Sequence, residues 1–465
     1  MDAPSPYLVG PYAPTPEEVA LDCTPIVGAV PTDLRGAYVR NGPNPQFAPR
    51  GRYHWFDGDG MLHAAWFEGG RARYANRYVR TAAFEREAAA GRALWSGIME
   101  PLRDNPRDMP YKDAANTDVC FHDGALIATY YVGGTPMRVH PRTLAPLGGG
   151  VAGAPARFSA HAKVDPATGE LFCFDFGPRP PFLRYAVVGP GGRDPHTVPL
   201  EVGGPRLPHD MCFTKKHALL MDLPIHFDLE QMEKGRWRTT FRRDVPARFA
   251  ILPRRGTAVR WFEAEPCYVY HAANAWDDGD AVVMVGCRVD DPLPAPDPAD
   301  GPHAIAMANL RVRARLWRWR FDLATGRTEE RCLDDRNTEF PAIAGGFRGQ
   351  RTRFAYNVTL ATTRTLGFDG LVKYDTDTGH AEHLPLGPGR FGSEMAFAPR
   401  EGATAEDDGY LVTFVRDEAE GRSELWILDA RQLTAGPIAR LHVPARVPLG
   451  FHATWVTGRD LDAVA

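Results

Sequence analysis

Apolar residues along this chain fall in short runs rich in β-branched and aromatic side chains, bounded by glycine and proline. Examples are residues 125–131 (ALIATYY), 171–176 (LFCFDF), 281–285 (AVVMV), 310–321 and 410–415 (YLVTFV). Runs of this length and composition between turn signals predict strands. Helical periodicity is scarce, and residues 81–94 and 228–234 are the two helix candidates. A small repeat, D-x-x-T-G, starts at Asp165, Asp322 and Asp375, each time between two strand-like runs. Asp can open such a turn by accepting nearby backbone N–H groups, and Gly closes it at positive φ. Repeated hairpins favour an all-β propeller over a sandwich or barrel, because propeller blades leave only short, protected edges.

The 46 Gly and 42 Pro are spread along the chain and not gathered in a linker. Residues 290–302 (DDPLPAPDPADGP) read as an exposed loop inside one fold. The expectation is a single domain over residues 1–465. The net charge of -4 balances 54 Lys and Arg against 58 Asp and Glu, giving no field to gather nucleic acid. No apolar run reaches the roughly 18–20 residues of a membrane span. The first residues (MDAPSP) lack the basic and apolar parts of a signal peptide. Seven Cys without C-x-x-C spacing predict buried free thiols and a reducing, cytoplasmic setting.

Four of the 15 His stand apart, each among apolar neighbours at the end of a strand-like run. They are His161 in FSAHAKVD, His209 in LPHDMCF, His271 in CYVYHAANAW and His452 in LGFHATW. Burial keeps an imidazole neutral, and neutral imidazole binds iron, zinc or copper. Their separations match no local metal motif. Alone, each also reads as a core histidine. A propeller could bring them together, because the inner strands of its blades converge on one axis.

Further motifs occur in order: residues 34–45 (LRGAYVRNGPNP), 53–63 (YHWFDGDGMLH), 115–118 (ANTD), 339–341 (EFP), 353–356 (RFAY), 392–400 (GSEMAFAPR) and 406–409 (EDDG). With the four histidine motifs they make the chain resemble the carotenoid cleavage oxygenase family over nearly its whole length. The resemblance implies a seven-bladed β-propeller with a dome of loops and short helices over an axial Fe(2+). It implies His161, His209, His271 and His452 as ligands, with Glu339 and Glu394 orienting some of them. A carboxylate that accepts a ring N–H fixes the tautomer and strengthens the ligand. A third such glutamate, usual in the family, has no counterpart at Tyr131 or Val132, so one ligand is expected to be held differently.

The implied reaction is dioxygenation: O2 adds across one alkene and two carbonyl products form, with no catalytic side chain beyond the metal ligands. The family cuts carotenoids, apocarotenoids or stilbene-like phenolics. The Tyr and Lys of its phenol-cleaving branch have no match near Ile98 and Tyr131, so a polyene is the expected substrate. Phe56, Ile98 and Tyr131 are the expected pocket residues. Peripheral membrane contact through residues 97–111 and 223–249 is a further expectation. The alternatives are a stilbenoid-cleaving dioxygenase, an isomerase or hydrolase on the same scaffold, zinc in place of iron, and a non-catalytic binding propeller.

Overall fold

In a computed structural model, which describes residues 5–361 and 363–464, seven antiparallel sheets follow one another around an axis. We number these blades 1 to 7. Their innermost strands are Ala453–Thr457, Asp118–His122, Lys163–Val164, Met211–Phe213, Tyr268–Asp278, Thr338–Ala342 and, in blade 7, Arg390–Phe391 with Ala396–Pro399. An eighth, two-stranded sheet (Ile225–Phe227 with Thr239–Phe241) belongs to the dome.

The ends of the chain close the ring. Ala453–Thr457 pairs with Gly36–Pro43 in blade 1, Arg40 facing Ala453, and Thr24–Gly28 forms the outer edge of blade 7 against Pro437–Val443. Middle strands are buried on both faces, because each blade packs between two others. Ala281–Val289 and Gly409–Asp417 are buried at every position. This explains their unbroken apolar runs in place of an alternating pattern.

The D-x-x-T-G turns form as expected. The glycine N–H of each reaches back to the aspartate carbonyl at 2.8–2.9 Å, and Gly169, Gly326 and Gly379 have φ of 71°, 80° and 77°. Their places differ, however: the first joins the two inner strands of blade 3, the others the two outer strands of blades 5 and 6.

Both helix candidates exist in shorter form. Ala82–Ala90 is capped by Thr81 and stopped by Gly91 in the left-handed conformation, and Leu229–Glu233 is capped by Asp228. The strand expected over residues 310–321 begins only at Ala314. The expected loop 290–302 is corrected at its end, where Pro298–His303 forms a 3-10 turn. Asp300 is buried there between Arg311 (2.5 Å) and Arg364 (2.6 Å), an ion-pair anchor set by residues distant in sequence. All seven Cys are free, and five are buried.

Candidate metal centre

Each ligand candidate sits where an inner strand begins or is irregular. His161 precedes the inner strand of blade 3 with φ 65°, flanked by the buried small residues Ala160 and Ala162. His209 precedes the inner strand of blade 4, and His452 that of blade 1. His271 lies inside the inner strand of blade 5, where the pairing register shifts between Val269 and Ala272. Glu339 lies at a similar shift in blade 6, between Glu339 and Ala342. Such bulges re-aim side chains out of the alternating pattern, here toward the axis.

The four rings converge. Centroid separations are 4.8 Å for His161 and His209, 5.0 Å for His161 and His271, and 4.5 Å for His161 and His452. His209 lies 5.1 Å and His452 4.5 Å from His271. Donor atoms of His161, His271 and His452 all lie within 4.8 Å of one another; the ring of His209 borders this group without joining it at that limit. Donors about 2 Å from a shared ion stand roughly 3–4 Å apart, so the three are within a small adjustment of a common cation.

The outer nitrogens meet carboxylates. His271 Nδ1 is 2.6 Å from Glu339 and His452 Nδ1 3.3 Å from Glu394. Glu394 also accepts the backbone N–H of Ala453, and Glu339 that of Phe340 at 2.5 Å. The inner nitrogens Nε2 of His161 and His271 are buried with no hydrogen-bond partner among the described residues. Orphaned buried nitrogens are costly unless something outside the protein takes their lone pairs. Three imidazoles aimed inward, two of them with unmatched Nε2 atoms, fit a divalent transition metal.

His209 differs. Among the described residues its ring makes no hydrogen bond, and it meets Tyr270 edge-on at 5.1 Å and Tyr131 at 6.4 Å. This agrees with the expected lack of a carboxylate at Tyr131 and Val132. Its neighbour Asp210 holds the backbone instead. One Asp210 oxygen takes the N–H of Ala272 at 2.9 Å, and the other lies 2.8 Å from Lys163. Asp210 and Lys163 therefore tie the segments of His161, His209 and His271 together. Sequence reasoning singled out neither; their signal is only that each lies one or two residues beyond a candidate ligand.

Burial pushes the His161, His209 and His271 imidazoles below their ordinary value, which keeps them neutral. At His452 burial acts the same way, but the Glu394 carboxylate outweighs it and the ring sits above its ordinary value. Burial also drives Glu339 well above the usual carboxylate range. A dication between the rings would favour its ionised form, because a bound cation is the largest charge in such a site.

Two cavities bear on the site, and one of them touches the ring. One, of about 1040 Å³, reaches His161, His271 and His452 directly and is lined by charged groups including Asp118, Lys163, Asp210, Arg348, Arg400 and Glu406. The other lies among the dome segments, between Phe47, Trp95, Ile98, Tyr111, Tyr130 and Trp237, and measures about 40 Å³. Phe56 and Tyr131 stand nearby, their rings 4.9 Å apart, so two of the three expected pocket residues meet on the His209 side of the ring. Ile98 lines the dome cavity itself and is held through its N–H on Asp57.

A seven-bladed propeller with imidazoles gathered on its axis defines a class of proteins with an axial metal site. Comparison with known proteins narrows the class. Residues 12–457 match the family model described as retinal pigment epithelial membrane protein. The chain is 34% identical over 504 residues to carotenoid 9,10(9',10')-cleavage dioxygenase 1 of Phaseolus vulgaris, covering 99% of this chain and 91% of that one. The lignostilbene dioxygenase of Pseudomonas brassicacearum superposes with a TM-score of 0.88 at 27% identity, over 98% of this chain and 100% of that one. Cobalt-substituted apocarotenoid oxygenase of Synechocystis gives 0.86 at 27% identity, over 96% and 98%. The chain belongs to this family, that of the carotenoid cleavage dioxygenases.

Proposed function

We propose that residues 1–465 form one propeller domain that uses iron(II) and O2 to cleave a carbon–carbon double bond of a carotenoid or apocarotenoid. The ligands are His161, His209, His271 and His452, and Glu339 and Glu394 orient two of them. The observation that carries this reading is the convergence of the rings, with the Nε2 atoms of His161 and His271 buried and unpartnered among the described residues and carboxylates behind His271 and His452. Family membership supports it. Iron(II) bound there supplies the activation of O2, which no side chain at this site can provide.

The residues do the rest. Glu339 and Glu394 fix the tautomers of His271 and His452, so the lone pairs face the axis. Phe56, Ile98 and Tyr131 shape the wall that places one alkene beside the centre, and placement of this kind is worth several powers of ten in rate. A polyene gains about 25 cal/mol for each Å² buried against such aromatic walls. In the larger cavity it would instead lie against partly exposed charged groups such as Lys163 and Arg348, so the polyene belongs on the dome side. The dome cavity is smaller than a polyene, so the dome segments must part on binding.

A stilbenoid substrate is the second reading, favoured by the close superposition on the lignostilbene dioxygenase. A lysine does line the dome cavity, but Lys112 is bound to Asp59 at 2.7 Å and Glu87 at 2.8 Å and is not free to engage a phenol. This favours the polyene. The deciding experiment loads the protein anaerobically with iron(II), admits air with carotenoids, apocarotenoids and stilbenes, and identifies aldehydes by mass spectrometry. Cleavage of stilbenes alone would replace the polyene reading. Product without O2 consumption would mean an isomerase or hydrolase.

Peripheral membrane contact belongs to the same proposal. The two expected segments touch each other through Leu102 N–H on the Gly235 carbonyl (2.8 Å) and the edge-on pair Tyr111 and Trp237. Leu229 is 46% exposed there, beside the exposed Arg236, Arg238, Arg242 and Arg243. No helix among the described residues is long and apolar enough to cross a membrane.

A further inference from the structure

Each of the seven blades sends one metal-relevant side chain from its inner strand, or from the residues flanking it, toward the axis. In blade order these are His452, Asp118, His161, His209, His271, Glu339 and Glu394. The carboxylates act between neighbouring blades: Glu394 of blade 7 faces His452 of blade 1, and Glu339 of blade 6 faces His271 of blade 5. Asp118 of blade 2 stands in the same relation to His161 of blade 3. Its Oδ2 is 3.4 Å from His161 Nδ1 and accepts the His161 backbone N–H at 3.1 Å. Its Oδ1 takes the N–H of Val119 at 2.7 Å, and its carbonyl takes Asn41 Nδ2 at 3.0 Å, so the carboxylate is itself held in place.

We propose that Asp118 is the positioning residue of His161, doing there what Glu339 and Glu394 do for their histidines and leaving His209 as the ligand without a carboxylate. The inference rests on the metal reading above. The backbone of His161 is left-handed at φ 65°, a conformation costing roughly 1–2 kcal/mol for a non-glycine residue. One oxygen that takes the backbone N–H and stands 3.4 Å from the ring Nδ1 is placed to secure the backbone and the ring together. With Nδ1 as donor, the lone pair lies on Nε2, the buried atom that has no partner. The missing third glutamate is thus matched by a carboxylate that serves a different ligand.

The test uses cobalt(II) as probe on the metal-free full chain. Affinity is measured by competition with a chelator, alongside the visible cobalt absorption and the thermal midpoint of the metal-free protein. Asp118→Asn keeps an acceptor for the backbone N–H but removes the charge. It should weaken cobalt binding about 10- to 100-fold, as Glu339→Gln should, and alter the absorption band. The metal-free midpoint should stay within about 4 °C of wild type. Affinity within twofold of wild type, while Glu339→Gln falls in the expected range, overturns the assignment. In a His161→Ala background the same change should cost less than threefold, and an equal loss in both backgrounds also overturns it. If Asp118→Asn does not fold, nitrogen-15 shifts of the wild-type histidines decide: a proton on Nε2 of metal-free His161 overturns the proposal, and one on Nδ1 supports it. Failure of wild type to bind cobalt at one per chain would sink the metal reading itself, which separates the two failures.

Discussion

The two cavities near the histidine ring differ in size and reach: the small dome cavity sets aromatic walls beside Arg50, Asp57, Glu87 and Lys112, whereas the larger one mixes charged groups with side chains such as Phe213 and Met395 and touches three of the rings. In the dome, Phe47, Trp95, Tyr130 and Trp237 surround a small cavity, with Phe56 and Tyr131 between it and His209. Elsewhere, a much larger cavity brings Asp118, Lys163, Asp210 and Arg348 up to the other three rings. Desolvating even one charged group without compensation costs more than an alkene gains from the same area. On the proposed reading, the polyene comes from the dome side and leaves the larger cavity to water.

The largest test removes a histidine of the ring itself. His271→Ala should lower iron to well below one per chain and abolish cleavage, read by elemental analysis and aldehyde formation. Retained iron and activity would detach the site from the reaction. Next comes a matched pair of changes. Ile98→Asp puts a carboxylate in the dome wall and should raise KM for a polyene about tenfold with iron content unchanged. Gly345→Asp puts the same group on the charged cavity, where there is open space, and should leave KM within about twofold. Equal effects would erase the distinction between the two sides.

A smaller effect comes from the dome turn itself. Burial pushes the Asp57 carboxyl up from 3.8 to about 6, against the N–H groups of Ile98 and His54 that favour its charge. The folded protein thus prefers the protonated acid. Its contribution is complete below the unfolded value near pH 4 and is lost as pH rises through about 6. Between pH 4 and 7, wild type should lose on the order of 2 kcal/mol more stability than Asp57→Asn, measured by urea titration. The smallest effect concerns the membrane. Leu229→Ser should weaken binding to anionic vesicles about two- to fivefold, and unchanged binding would remove Leu229 from any contact.

Much of this arrangement was legible in the chain. The flanking motifs picked out four histidines whose rings converge, three of them close enough to hold one ion, and the D-x-x-T-G turns marked real hairpins. Both helix candidates began at the residues that cap the helices, Thr81 and Asp228. Asp118 was visible only as the end of ANTD, because its partner lies 43 residues away and nothing local signals a pairing across neighbouring blades. Asp210 and Lys163 were hidden for the same reason. The 3-10 turn at Pro298–His303 was missed because a proline- and aspartate-rich stretch gives no hint of the arginines that bury Asp300. His271 and Glu339 point to the axis through register shifts, which a strict two-residue alternation does not foresee.

Closure of blade 1 has a bearing on biogenesis. The last ligand candidate immediately precedes the strand that zips onto Gly36–Pro43, so it reaches the axis only when opposite ends of the polypeptide meet. A chain still emerging from the ribosome, or one clipped before Ala453, would offer an incomplete set of donors. On the proposed ligand set, cofactor acquisition would be coupled to completion of the circle, and metal content should serve as a readout of how many molecules in a preparation have finished folding.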